Sequence, residues 1–245
     1  MHKRYHMKRT MSQEMYDNLA DAYRLYSSYR KKYLNTIDSI VRSYIKPYNS
    51  VIDFGAGDGV RINNIIAKTP VNLCLIENSK NMISRIKKTF INILVLNKDF
   101  SCSGFKVSSN NDVAVCLWNV LGHVGNRQKL LTSLKNIKKS VKKNGIIIID
   151  VNNRHNISQY RWKALKNIVR DFLFYNFKNG DIKFNINIDN KNIKSNVHIF
   201  TKREIEQLIA QSGLIIKEKF YVNYTSGKLE HFSSFGQLCY VLTIK

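Results

Sequence analysis

Long apolar runs are missing from this chain. Stretches such as Ile146 to Ile149 fall far short of the ~20 residues a membrane-spanning helix needs, so no membrane partner is expected. The basic start, Met1 to Arg9, is not followed by an apolar stretch, which argues against a secretory signal. Met7 and Met11 offer alternative starts, and disorder is the simplest reading of the leading dozen residues. Cysteine is also scarce. Cys74, Cys102, Cys116 and Cys239 are scattered, without the CxxC or CxxH spacing of a zinc site. Histidines and acidic residues never meet at ligand spacing, so no metal is expected. Cys74 and Cys116 lie in expected strands, where a thiol behaves as a small apolar side chain. A reduced, cytoplasmic setting fits best.

Negative charge is the third scarcity. Seventeen Asp and Glu stand against forty Lys and Arg, a formal net charge of +23. Such an excess invites a nucleic-acid partner. It also has a plainer explanation, because Lys, Asn and Ile are abundant together, as in an AT-rich genome. The cations are spread out in short pairs, Lys31-Lys32, Lys87-Lys88, Lys138-Lys139 and Lys142-Lys143, on expected helices where a solvated face is usual. Composition ranks first and an RNA surface second.

What is present is enough for one α/β domain. At 245 residues and 44% hydrophobic, the chain can bury a sizeable core. Two helices open it. Gln13 to Tyr29 sets Met15, Leu19, Ala22 and Tyr26 at helical spacing, and Lys32 to Ile45 sets Tyr33, Ile37, Ile40, Val41 and Tyr44 likewise. Lys46-Pro47 ends the second. Strands follow at Ser50–Phe54, Asn72–Ile76, Ile91–Leu96, Asp112–Leu117 and Gly145–Val151. Helices over 60–68, 79–89 and 127–143 alternate with them. Strands apolar throughout, alternating with amphipathic helices, predict a parallel sheet covered on both faces.

After Asn153 the rhythm breaks. Gln159 to Phe177 reads as an aromatic-rich helix. Two short strands flank a polar turn at Asp189 to Lys191. Thr201 and Glu204 form a capping box for a helix that stops at Gly213, and two strands close the chain, Leu214–Tyr224 and Gln237–Ile244. The division is therefore cap helices at 14–46, a core at 50–151, an insertion at 153–200 and a closing helix and strands at 201–245.

Chemistry concentrates at Val51-Ile52-Asp53-Phe54-Gly55-Ala56-Gly57-Asp58-Gly59. Glycines at 55, 57 and 59, after a strand and opening a helix, let the chain turn and a ligand approach the backbone. Glu77 ends the next strand, where a carboxylate can accept hydrogen bonds from two ribose hydroxyls. Asp99-Phe100 follows the third, where a carboxylate can meet an amino group and a ring can cover a base. A nicotinamide or flavin dinucleotide protein is the rival, but its loop usually reads GxGxxG to seat a pyrophosphate.

Asp53 to Gly59, Glu77 and Asp99 resemble the first three motifs of class I S-adenosylmethionine-dependent methyltransferases, a likeness covering roughly residues 14–151 and the closing strands. The resemblance implies a Rossmann-like, seven-stranded, mostly parallel sheet with helices on both faces and the last strand antiparallel. It also implies S-adenosyl-L-methionine as cofactor. The glycine loop (Gly55, Ala56, Gly57, Gly59) would contact the methionine part, Glu77 with Asn78 the ribose, and Asp99 and Phe100 the adenine. Trp118-Asn119-Val120 resembles the fourth motif, beside the methyl group. Tyr16 and Tyr23 either line the cofactor entrance or simply pack.

Past the fourth strand, His123 is a base or substrate anchor, or else a residue capping the next helix; Asn119 is its catalytic neighbour. Asn152, Arg154 and Tyr224 are candidate substrate contacts, Arg154 through a carboxylate or phosphate or else merely solvating a loop, and Tyr224 the weaker candidate with a structural alternative. His198 and His231 read as structural. The insertion is a lid or extra core. In the family this chain resembles, small-molecule enzymes often carry a cap at this place, so the resemblance favours a small-molecule acceptor, methylated on nitrogen or oxygen. RNA ranks second, lacking an Asn-Pro-Pro-Tyr type motif, and a non-catalytic cofactor-binding protein third.

Overall fold

The computed structural model describes residues 11–188 and 191–244. The basic start Met1 to Arg9, with Met7, lies outside the described residues, as do Asp189 and Asn190 of the polar turn. Three helices lead in: α1 (Met11–Leu19), α2 (Tyr23–Ser28) and α3 (Lys31–Tyr44). Two were expected. Met15, Leu19 and Ala22 keep their shared buried face across the turn at 20–22, so periodicity alone carries no sign of the break.

The alternating part runs β1 (Ser50–Phe54), α4 (Val60–Ile66), β2 (Asn72–Glu77), α5 (Lys80–Thr89), β3 (Leu94–Asn97), β4 (Asn111–Cys116), α6 (Arg127–Lys139) and β5 (Val141–Val151). The insertion holds α7 (Ile157–Tyr160), α8 (Trp162–Leu173) and a hairpin, β6 (Asp181–Ile188) with β7 (Lys191–His198). Then come α9 (Lys202–Gln211), β8 (Leu214–Val222), β9 (Leu229–Glu230) and β10 (Gln237–Ile244). The capping box at Thr201 and Glu204 is present, and Gly213 takes a left-handed φ of 72°.

The sheet is ordered β3-β2-β1-β4-β5-β10-β8-β9. The first five strands pair in parallel, and β10 runs antiparallel between β5 and β8. The expected seven become eight because a two-residue strand, β9, adds to the edge. Lys142 and Lys143, expected on a helix, lie on β5 beside a register shift opposite Asn111 and Val113.

Strand alternation divides the core. Ile52, Phe54, Ile147 and Ile149 pack with α6 and α9, while Val51, Val113, Val115 and Ile148 pack with α3 and α4. Each such side chain contributes ~1.5–3 kcal/mol by leaving water. A third, smaller cluster joins Met15, Leu19 and Ala22 to Ile186 and Ile193 of the hairpin. Strand order reverses between β1 and β4, and the crevice outside the carboxyl ends of such strands is where open α/β sheets bind ligands.

Candidate functional site

At the end of β1 the chain turns through Gly55, Gly57 and Gly59, all left-handed at φ 76°, 59° and 74°. The first two positions explain the need for glycine. A Cβ at Gly55 would stand 2.5 Å from Val120, and one at Gly57 3.0 Å from the Tyr23 hydroxyl. Gly59 serves packing, since its Cβ would press on Leu75, Ile86 and Phe90. The loop is pinned by Glu77, whose Oε2 accepts from the Gly57 N–H at 2.8 Å. Its Oε1 accepts from Asn78 and Ser79, both at 2.8 Å. Burial pushes the Glu77 carboxyl up, and those three N–H groups oppose it.

A cavity opens above this loop. Of the residues expected to hold a cofactor, the structure brings nine to its wall: Gly55, Gly57, Glu77, Asn78, Asp99, Phe100, Trp118, Tyr16 and Tyr23. Four do not line it. Asp53 is buried beneath the loop, its carboxyl pushed up to about 7 by burial and the Glu77 charge against the pull of Arg61. Ala56 is turned to β2 through its N–H on Ile76, Gly59 packs, and Asn119 faces elsewhere. Sequence reasoning missed Lys98, Ser101 and Lys129 in the wall. Lys98 and Ser101 flank Asp99-Phe100, and that adjacency is the signal that would have found them.

A second cavity adjoins the first and shares Tyr16, Trp118 and His123 with it. Tyr26, Tyr160, Phe184 and Tyr224 add four more rings, and Asn119 and Asn152 add amides. Tyr160, Phe184 and Val197 come from the insertion, beyond the reach of any motif.

The wall between the cavities is held in an unusual backbone. Trp118 and Asn119 are consecutive non-glycine residues at φ 59° and 58°, a conformation that costs roughly 1–2 kcal/mol for each. Asp150 secures them. Its Oδ1 accepts from the Trp118 N–H at 2.5 Å, its Oδ2 from the Tyr33 hydroxyl at 2.5 Å, and its carbonyl from Asn119. Asn119 is expected to act in catalysis, but its amide is committed to the scaffold: Oδ1 accepts from the Asn152 N–H and Nδ2 donates to the His198 carbonyl.

His123 ends the short 3-10 turn at 120–123. The Asn196 backbone takes one hydrogen bond from its ring, and Nδ1 is buried with no partner. Burial pushes its pKa down to about 4, against the Asn196 bond, so the ring is neutral near pH 7. Tyr16 and Phe184 meet it edge-on at 5.5 and 6.5 Å. Tyr224 accepts from the Trp118 indole N–H at 3.4 Å, with Arg30 over its ring.

Arg154 is not at the site. Its guanidinium is fully buried, donating to both oxygens of Glu204 at 2.5 and 2.7 Å, to Asp171 at 2.6 Å and to the Ile199 carbonyl. No direction is left for a substrate. His198 is buried on Asp181 and stacked on Phe177, and His231 is exposed.

The sequence profile of the methyltransferase-domain family matches residues 26–218. No curated protein matches the sequence. Solved structures do. A complex of a Haloferax volcanii methyltransferase with its Trm112 activator has a chain aligned at TM-score 0.66 and 13% identity, over 94% of this chain and 96% of that one. A Thermotoga maritima methyltransferase described as a possible histamine N-methyltransferase aligns at 0.63 and 14%, over 95% and 99%. A methyltransferase from Clostridium acetobutylicum aligns at 0.61 and 16%, over 88% and 92%. Glycines that leave room above the loop, and carboxylates at the ends of β2 and β3, fit an amino-acid nucleoside. The chain belongs to the class I S-adenosylmethionine-dependent methyltransferases, and S-adenosylmethionine is its cofactor.

Proposed function

We propose that the protein methylates nitrogen or oxygen of an uncharged, largely planar small molecule held in the second cavity. One observation carries this: among the described residues the cavity is walled by seven rings (His123 included) and two amides, with no Lys, Arg, Asp or Glu, in a chain of net charge +23. A phosphate there would be desolvated without a counter-charge, which is costly. Flat apolar acceptors lose water against the rings and stack on them.

When bound, the cofactor supplies an activated methyl group, so the protein's contribution is mainly positioning and exclusion of water. Gly55 and Gly57 leave room for it, and Glu77 and Asp99 would hold it through hydrogen bonds their carboxylates accept. Trp118, fixed by Asp150, lines both cavities and would hold the acceptor's reacting atom toward the methyl group. His123 Nδ1 accepts a hydrogen bond from the acceptor's N–H or O–H and takes its proton where one must leave. We read 14–46 and 153–200 as the cap over the core at 50–151, closed by 201–245, in a cytoplasmic setting. RNA methylation rests on net charge alone.

Calorimetric titration with S-adenosylmethionine, S-adenosylhomocysteine and NADH tests the cofactor half: the first two bind and the third does not. Labelled methyl transfer into a metabolite extract, against total RNA, tests the acceptor half. Label in RNA alone overturns the small-molecule reading.

A further inference from the structure

The aromatic stretch after Asn153 is only partly a lid. Tyr160 faces the acceptor cavity, but α8 turns away from the core. Ala164 is its one buried hydrophobic residue. Trp162 is 77% exposed, Val169 58%, Phe172 86% and Leu173 60%, and Phe174 continues the surface past the helix at 74%. At 100° per residue, Phe172, Leu165, Val169, Trp162 and Leu173 fall within an arc of roughly 100°. Lys166, Arg170 and Lys163, all exposed, occupy the next arc on one side, and Arg161 precedes the helix. Its one acidic residue, Asp171, points inward to Arg154 with its side chain 4% exposed. The face is therefore an apolar stripe edged by cations, with no exposed carboxylate.

We propose that α8 is a docking helix for an anionic lipid surface, lying in the plane of the headgroups with its rings among the acyl chains. The charge pattern selects this occupant. A second copy would set Lys163 and Lys166 against themselves with no exposed acid on the helix to pair, Arg170 being already within 3.6 Å of Asp171. A nucleic-acid backbone would meet the cations but leave the stripe in water. A bilayer with acidic headgroups satisfies both at once: apolar rings partition into the boundary and the flanking cations stay with the phosphates. Twelve residues span about 18 Å, too short to cross. Among the described residues no helix is long and apolar enough to do so. The sequence expectation of no membrane partner considered only a crossing helix, and a helix that lies on the surface needs a face instead of a length.

Vesicle flotation of the full chain tests this, with phosphatidylcholine vesicles and with vesicles of phosphatidylcholine and phosphatidylglycerol in equal parts. The protein floats with the mixed vesicles and far less with the neutral ones, and added salt weakens the retention. Its tryptophan emission shifts to the blue on the mixed vesicles, and Trp162→Phe removes the shift. Phe172→Ser lowers partitioning roughly tenfold, since each buried ring is worth about one such factor or more. Lys163→Glu with Lys166→Glu abolishes the preference for acidic lipid. Affinity for S-adenosylhomocysteine is unchanged in all these variants, which separates loss of docking from loss of fold. Three results overturn the proposal: no retention on either vesicle, equal retention in Phe172→Ser, or a dimer in sedimentation that Phe172→Ser dissociates.

Discussion

At the scale of single residues, the glycine loop makes the sharpest prediction. Gly57 sits at φ 59° with the Tyr23 ring against its open side, so Gly57→Val meets both backbone strain and a filled cavity. S-adenosylhomocysteine affinity should fall by about 100-fold or more while circular dichroism stays native, because a cofactor cannot share the space of an added branch. Unchanged affinity would remove the loop from the site. His123 gives the second. Its folded pKa, about 4, lies below the ordinary 6.5, so the ring is neutral through the physiological range. What it supports is lost only as pH falls through about 4. His123→Ala should slow transfer ~100-fold and remove that acid limb; a ring titrating near 6.5 by NMR contradicts the assignment. The place of both residues on the cavity wall was legible because glycine pattern and strand ends are local signals. Arg154 was misread because its neighbours in sequence place it on the active edge. The carboxylates that claim it, Asp171 and Glu204, lie 17 and 50 residues away.

At the scale of elements, that same buried cluster fastens the insertion to the sheet. Arg154 follows β5, Asp171 rides on α8 and Glu204 opens α9, so one guanidinium ties three elements. Hydrogen bonds hold both carboxyls below their ordinary range despite burial, from Arg154, Asn179 and His155 at Asp171 and from His198, Arg154 and the Thr201 N–H at Glu204. Depressed carboxyl pKa values mean stability that is present above the unfolded value and lost as pH falls through the folded one. Arg154→Met should therefore cost about 3–5 kcal/mol at neutral pH, by stranding two buried acids. The gap from wild type should narrow as the variant's acids protonate on acidification. Urea unfolding across that range reads it, and a gap constant with pH would make Arg154 a packing residue only. The alternating strands and helices were readable because period-2 and period-3.6 patterns follow from burial on a flat or a round surface. The insertion was not. Its rings look alike whether they face the acceptor cavity, as Tyr160 does, or water, as Phe172 does. Only the fold separates them.

At the scale of the whole molecule, two large clusters flank the sheet and a small one stands apart. Met15, Leu19 and Ala22 from the first helices meet Ile186 and Ile193 of the hairpin, and between them these segments wall the acceptor cavity with Tyr16, Tyr26, Phe184 and Val197. Five buried side chains hold much less than the sheet does, so α1, α2 and the β6–β7 hairpin should open together at lower free energy than the core. Cofactor binding supplies the link, because Tyr16 and Tyr23 face the first cavity while Tyr16 also walls the second. A ligand that touches the closed form shifts the population toward it by its differential affinity. Hydrogen exchange should show α1, α2 and the hairpin exchanging faster than β1, β4 and β5, and both segments gaining protection together when S-adenosylhomocysteine is added. Ile193→Ala should raise exchange in α1 as well as in β7, since the two share one cluster. Protection gained by α1 alone, with the hairpin unchanged, would mean that the cap is two independent pieces and that the cofactor closes only its own half.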